Sequence, residues 1–188
     1  MTRGHTTSRP SGATMVCFNN DSLDLSDVNL FVDAGIFIAH FDSDDVWHDA
    51  VEDFFNRHVI NNAVEPPGLF TTYDVINEYL HRMTENYKAR NHISTPSTIR
   101  KDYADKIVDL INTKLVDLLD LDATSVHTAI DLWGASEKYG AKDVFHAVCA
   151  NDWGTNLITT DFRLKNSLVQ DRNFHQMTIY VPDFALKR

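Results

Sequence analysis

An α/β fold, with a parallel sheet packed between helical layers, is what this sequence predicts, and two patterns carry that expectation. Short apolar, β-branched runs alternate with amphipathic helical stretches along the chain, and two of those runs, VNLFV and NLITT, each end at an aspartate. Strands that alternate with helices form βαβ units, whose crossovers keep neighbouring strands parallel and cover the sheet. At 188 residues, 43% hydrophobic and 23% charged, the chain suits one domain able to bury roughly 70% of the surface its unfolded state exposes.

Residues 1–27 are rich in Ser, Thr, Asn, Asp and Gly and contain no apolar h-region, so they are expected to be a disordered lead-in and not a secretory signal. The folded domain is expected to run from 28 to 188. Residues 28–32 read as a short buried strand ending at Asp33, with a helical pattern directly after it. Over residues 44–58 Val46, Trp47, Ala50, Val51, Phe54 and Phe55 share one helical stripe, opposite Asp45, Asp49, Glu52 and Asp53. The aromatics of that stripe are expected in the core. Glu65-Pro66-Pro67-Gly68 breaks the chain, and residues 69–71 form a second strand that runs into a helix over 73–88 carrying Glu78.

A polar break at 91–96 precedes a helix to about 111, and residues 114–119 make a plausible strand. The helix after Asp122 is expected to end near Tyr139-Gly140. Asp143 opens the next helix, AKDVFHAVCANDW, with Val144, Ala147, Val148 and Trp153 on its buried side and Gly154 as its stop. Residues 156–160 form a strand terminating at Asp161, and residues 177–181 form the last one. No internal repeat interrupts this order.

No stretch approaches the ~20 apolar residues of a membrane helix, so no membrane association is expected. Cys17 and Cys149 lack a second Cys or His at metal-ligand spacing, and a reducing cytoplasm is the expected compartment. The net charge of −10 argues against broad nucleic-acid affinity, because phosphate binding depends on clustered cations releasing counterions. The sign reverses locally, however. Between His81 and Tyr103, Arg82, Lys88, Arg90, Arg100 and Lys101 face only Glu85 and Asp102, so this segment is expected to grip phosphate.

In open α/β sheets ligands bind at the carboxyl ends of strands, which is where Asp33 and Asp161 fall. Carboxylates brought together repel unless a cation intervenes, and hard oxygen ligands suit Mg²⁺ or Mn²⁺ better than zinc. The chemistry that uses such a cluster is hydrolysis at phosphorus. Blander readings stand beside this one. Asp143 is equally suited to an N-cap, and Asp33 and Asp161 to strand-end turns. Asp74 and Asp152 read as helix-end acids, and His146 as a satisfied histidine at the core edge.

The order VDAG, NEYL on a helix, KDVFHAVCA and then LITTD resembles the PIN-domain ribonuclease family, including the ribonuclease toxins of type II toxin-antitoxin modules, from about residue 29 to 182. The resemblance implies a PIN-like three-layer α/β/α fold with a central parallel sheet. It implies Asp33, Glu78, Asp143 and Asp161 as catalytic and metal-holding acids, with Thr159 supplying a supporting hydroxyl. It further implies Mg²⁺ or Mn²⁺ as cofactor, RNA as substrate, an antitoxin protein as partner and a homodimer. Arg163, Lys165 and Arg82 are the candidates for substrate phosphate. Two departures stand out: Gly35 occupies a position that often holds a small polar residue, and residues 86–111 run longer than in compact toxins.

Competing classes fare worse. A phosphohydrolase with a D-x-D nucleophile would need an acid at Gly35, and a dinucleotide-binding domain would need G-x-G-x-x-G after the first strand. A catalytically weak PIN-like scaffold that binds RNA or protein is the remaining alternative, although such a scaffold is expected to have lost an acid.

Overall fold

The computed structural model describes residues 12–61 and 66–187. Six parallel strands run β1 (Thr14–Cys17), β2 (Asn29–Val32), β3 (Gly68–Thr72), β4 (Asp117–Leu119), β5 (Asn156–Ile158) and β6 (Thr178–Val181). Their spatial order is β1-β6-β5-β2-β3-β4. Leu30, Phe31, Leu157, Ile158 and Ile179 are fully buried, as expected where a parallel sheet is covered on both faces. Each such side chain contributes roughly 1.5–3 kcal/mol of burial free energy.

Seven α-helices connect the strands among the described residues: α1 (Ala34–Phe41), α2 (His48–Phe54), α3 (Tyr73–Asn91), α4 (Ser97–Asn112), α5 (Ala123–Ala135), α6 (Ala141–Asp152) and α7 (Phe162–Val169). From β2 the chain steps to β3 and β4 in one direction, through α1 to α4. From β4 it returns past β2 to β5 and β6, through α5 to α7. Right-handed crossovers then place α1 to α4 on one face and α5 to α7 on the other. The result is a three-layer α/β/α sandwich. Its direction reverses between β2 and β5, where Leu30, Phe31 and Val32 pair with Asn156, Leu157 and Ile158. At that reversal the chain leaves β2 and β5 toward opposite faces, which opens a crevice at their carboxyl ends.

Residues 12–27, expected to precede the fold, are part of it, while residues 1–11 lie outside the described residues. Strand β1 pairs in parallel with β6 along its whole length, and Phe18 and Leu25 are completely buried. Asn19 ties this segment to α2, donating from Nδ2 to the Ala50 carbonyl and to Asp53, both at 2.8 Å. Four short hydrogen-bonding residues in a polar stretch carry no periodic signal; what orders them is the open edge of β6, far away in sequence.

Other boundaries shift for local reasons. The stripe expected over 44–58 begins as a helix only at His48 and passes into a π-helix over Phe55–Ile60, while Trp47, Phe54 and Phe55 are buried as expected. The break at 65–68 starts at Glu65, which lies outside the described residues. α3 extends to Asn91 and stops at His92, whose φ of 56° takes the left-handed conformation that ends helices. α5 stops at Ala135, short of Gly140. Trp153, expected on the buried side of α6, is half exposed.

Candidate active site

Four separate elements bring their acids to the crevice. A cleft of about 260 Å³ at the carboxyl ends of β2 and β5 is lined by Asp33, Glu78, Asp143 and Asp161, together with Asp45 and Arg82. Asp33 follows β2 and caps α1, Glu78 lies on α3, Asp143 stands in the first turn of α6, and Asp161 follows β5 and caps α7.

Asp33 is the most constrained of them. Its Oδ1 accepts the Ala34 N–H at 2.9 Å and lies 3.2 Å from His146 Nδ1, and its Oδ2 accepts the Thr159 hydroxyl at 2.7 Å. Burial alone would push this carboxyl up, but His146, Thr159 and the Ala34 N–H outweigh that and hold it below the ordinary range. His146 answers in kind. Burial disfavours its charged form, yet the hydrogen bond and charge of Asp33, with Glu78 and Asp143 beyond, hold it above the ordinary histidine range. His146 is thus the buried, satisfied histidine that was expected, and its partner is the first acid.

Thr159 is fully buried and works in two directions, donating to Asp33 and accepting the Asp161 N–H at 2.9 Å. Asp161 itself accepts the N–H groups of Arg163 at 2.7 Å and Leu164 at 3.0 Å, so its capping role is real and coexists with its place in the cleft. Asp143 is not the N-cap. Gly140 holds that position, and Asp143 lies three residues on, in the first turn. A Cβ at Gly140 would stand 2.8 Å from Asp143 Oδ2, so glycine there leaves room for the carboxylate. Burial, then the charges of Asp161 and Asp33, raise the Asp143 carboxyl above its ordinary value. That repulsion is the electrostatic sign of acids that approach one another.

Glu78 has two cations at ion-pair distance, beyond hydrogen-bonding range, Arg82 Nε and Lys142 Nζ each at 3.8 Å. The donor set is made of hard oxygens, the type that holds Mg²⁺ or Mn²⁺. Among the described residues no three of these groups are already gathered into a coordination sphere. Two of the acids are tethered apart: Asp33 is held toward His146 and Thr159, and Asp161 toward the start of α7. The acids thus fit a divalent cation in chemical type, and a cation held between them would offset the repulsion that Asp161 and Asp33 exert on Asp143.

The cationic candidates separate. Arg82 lines the cleft, whereas Arg163 and Lys165 border neighbouring grooves on α7. The basic segment is largely neutralised within the chain, contrary to expectation. Arg90 grips Asp42 at 2.7 and 2.8 Å and reaches Asp44, Lys88 pairs with Glu85, and Lys101 pairs with Asp105. Pairs spaced three or four residues apart on a helix were readable for Lys88 and Lys101; the Arg90 to Asp42 contact spans 48 residues and was not. Asp45, Asn86 and Thr160 also line the cleft without having been singled out. Asn86 carried a signal, lying eight residues after Glu78 and four after Arg82. Gly35 has a local explanation, since a Cβ there would meet Thr160 Oγ1 at 2.3 Å, and that hydroxyl fills the space a side chain at 35 would take.

The sequence model of the PIN domain matches residues 30–167, spanning all four acids. The chain belongs to the PIN domain family. Solved structures share the fold of this PIN domain at low identity. Mycobacterium tuberculosis VapC20, described as a sarcin-ricin loop cleaving toxin, is 16% identical with a TM-score of 0.57, over 77% of this chain and 99% of that one. A chain of VapBC2 from Rickettsia felis, bound to a DNA fragment from its promoter, is 12% identical with a TM-score of 0.56, over 83% and 100%. A chain of FitAB bound to the IR36 DNA fragment is 9% identical with a TM-score of 0.55, over 81% and 94%. No curated protein sequence matches the chain significantly. No helix among the described residues is long and apolar enough to cross a membrane.

Proposed function

We propose that this PIN domain is a metal-dependent endoribonuclease, with Asp33, Glu78, Asp143 and Asp161 holding Mg²⁺ or Mn²⁺. The observation that carries the reading is the convergence of four acids from four elements on one cleft at the reversal of the sheet. A bound divalent cation would supply charge neutralisation and Lewis acidity toward a phosphodiester and a water. The chain's own residues do the rest. Thr159, His146 and the Ala34 N–H fix the Asp33 carboxylate, leaving Oδ2 with room for one further partner. Glu78 and Asp143 come to the cleft from opposite layers, and Arg82, on the same face of α3 as Glu78 and lining the cleft, would bind a substrate phosphate.

The toxin described for one fold neighbour and the paired assemblies described for two others support the narrower reading that this enzyme is a toxin held by an antitoxin protein. A homodimer working in the cytoplasm belongs to the same proposal. Incubation of the purified protein with a mixed RNA pool tests the core of it. Cleavage should require Mn²⁺ or Mg²⁺, stop in EDTA, and be lost in Asp33→Asn and Asp143→Asn, since Asn keeps the size of Asp but not the charge that holds a cation. Cleavage by either variant within a few-fold of wild type would remove that residue from the site. Absence of Mn²⁺ binding by calorimetry, with and without RNA, would leave the alternative of a catalytically weak RNA-binding or protein-interaction scaffold.

A further inference from the structure

Beside the acidic cleft lies an aromatic cluster that the ribonuclease reading does not use. Trp47 stacks on Phe162 with ring centroids 5.3 Å apart and meets Phe184 edge-on at 5.4 Å, while Phe162 and Phe184 are 4.3 Å apart. Lys165 Nζ stands 5.2 Å from the Phe162 centroid, and Lys187 Nζ stands 5.3 Å from that of Trp47. Trp47 is buried and forms the floor; Phe184 is 60% exposed and forms the open surface, beside a groove of about 290 Å³. Phe184 and Lys187 follow β6, Phe162 and Lys165 stand in the first turn of α7, and Trp47 precedes α2.

The cluster adjoins the cleft at two points. Phe162 directly follows Asp161, and the backbone N–H of Trp47 donates at 2.8 Å to Asp45, which lines the cleft. The aromatic face and its two lysines thus adjoin segments that carry cleft-lining acids, Asp161 through Phe162 and Asp45 through Trp47. Exposed aromatic surface flanked by cations is the combination that binds single-stranded nucleic acid, the ring stacking a base and the cations meeting phosphate. On a protein of net charge −10, two lysines gathered over aromatic rings in a groove next to the segment that carries Asp161 favour a polyanion over an apolar peptide.

We propose that Phe184, backed by Trp47 and Phe162 and flanked by Lys165 and Lys187, is a stacking site for an unpaired RNA base next to the scissile phosphate. The proposal rests on the ribonuclease reading. It is tested on the full chain by fluorescence anisotropy with a labelled mixed-sequence 12-nucleotide RNA and an abasic RNA of the same length, in EDTA and again with Ca²⁺. Phe184→Ala should weaken binding of the mixed RNA about tenfold, within the range of one lost stacking contact, and leave abasic RNA unchanged. Phe184→Trp should restore it. Lys165→Gln with Lys187→Gln should weaken both RNAs and flatten the salt dependence.

Equal affinity of wild type and Phe184→Ala for the mixed RNA overturns the assignment and leaves the face to the apolar side chain of a protein partner. Equal weakening toward both RNAs overturns it too, since the ring would then not act through bases. A wild-type chain that binds neither RNA also overturns it; if that chain still cleaves RNA with Mn²⁺, the ribonuclease reading survives alone, and if it does not, both fall.

Discussion

At the scale of single residues, the candidate site is a set of hydrogen bonds that decide where carboxylate oxygens point. Asp33 is buried and takes three donors, and of these Thr159 matters most because its hydroxyl also receives the Asp161 N–H. Thr159→Val keeps the shape and removes both bonds. It should destabilise the fold by about 1–3 kcal/mol, the cost of leaving buried polar groups unpaired, and weaken Mn²⁺ binding roughly 10- to 100-fold, as loss of an outer hydrogen bond to a ligand does. Urea unfolding in EDTA and Mn²⁺ calorimetry measure the two effects; changes under twofold in affinity would show that Asp33 needs no such support. Thr159 was legible because the T-x-D pattern places it. His146 was not, since a lone histidine on a helix gives no sign of the aspartate 113 residues away that it meets. Asp143 lies on α6 as expected, and of its two readings the N-cap falls away, because Gly140, expected to stop α5, is the cap of α6.

At the scale of elements, α3 carries Glu78, Arg82, Asn86 and Arg90 at four-residue intervals, a polar stripe that runs from the cleft to the end of α1. The last two grip Asp42, which closes α1: Arg90 binds both carboxylate oxygens and Asn86 adds a bond at 3.3 Å. This clamp fixes α3 against the helix that begins at Asp33, and hence Glu78 against Asp33. Burial would raise the Asp42 carboxyl, but Arg90, the Asp44 N–H and Asn86 hold it below its ordinary value of 3.8. A depressed carboxylate contributes stability above its unfolded pKa and loses it as pH falls through its folded value. Arg90→Gln should therefore cost about 1–2 kcal/mol at pH 7, a figure reduced from that of a buried pair because Arg90 is 41% exposed. The gap from wild type should narrow below about pH 4, as Asp42 protonates in both chains. Urea curves at pH 7 and pH 3 settle it, and a gap that stays constant would mean that Arg90 acts by packing alone. The basic segment misled the sequence reading here, because charge counted along the chain does not reveal which cations are already spent on distant acids.

At the scale of the whole molecule, the alternation of strands and helices made the layered parallel sheet legible, and the aspartates ending VNLFV and NLITT pointed to the edge where the sheet reverses. The sixth strand was not legible. TMVC is four residues in a polar stretch, and its partner, β6, lies more than 160 residues later. Yet the fold leans on it. Phe18 is fully buried against Phe54 at 5.2 Å, its N–H bonds the Val181 carbonyl at 2.9 Å, and Asn19 Oδ1 accepts the Asp183 N–H at 3.0 Å. Phe18→Ala should cost about 3–5 kcal/mol through lost burial and an incompletely filled cavity, lowering Tm by about 10 °C for a chain of this length. Removing residues 1–27 should do more, because it takes away Phe18 and Leu25 together and leaves β6 as an unpaired edge open to aggregation. Against a total stability of about 5–15 kcal/mol, the chain beginning at Val28 should lose its cooperative thermal transition or its solubility. If that shortened chain instead melts within a few degrees of the full one and still binds Mn²⁺, β1 is an addition to a self-sufficient domain, and the boundary at residue 28 is the physical one.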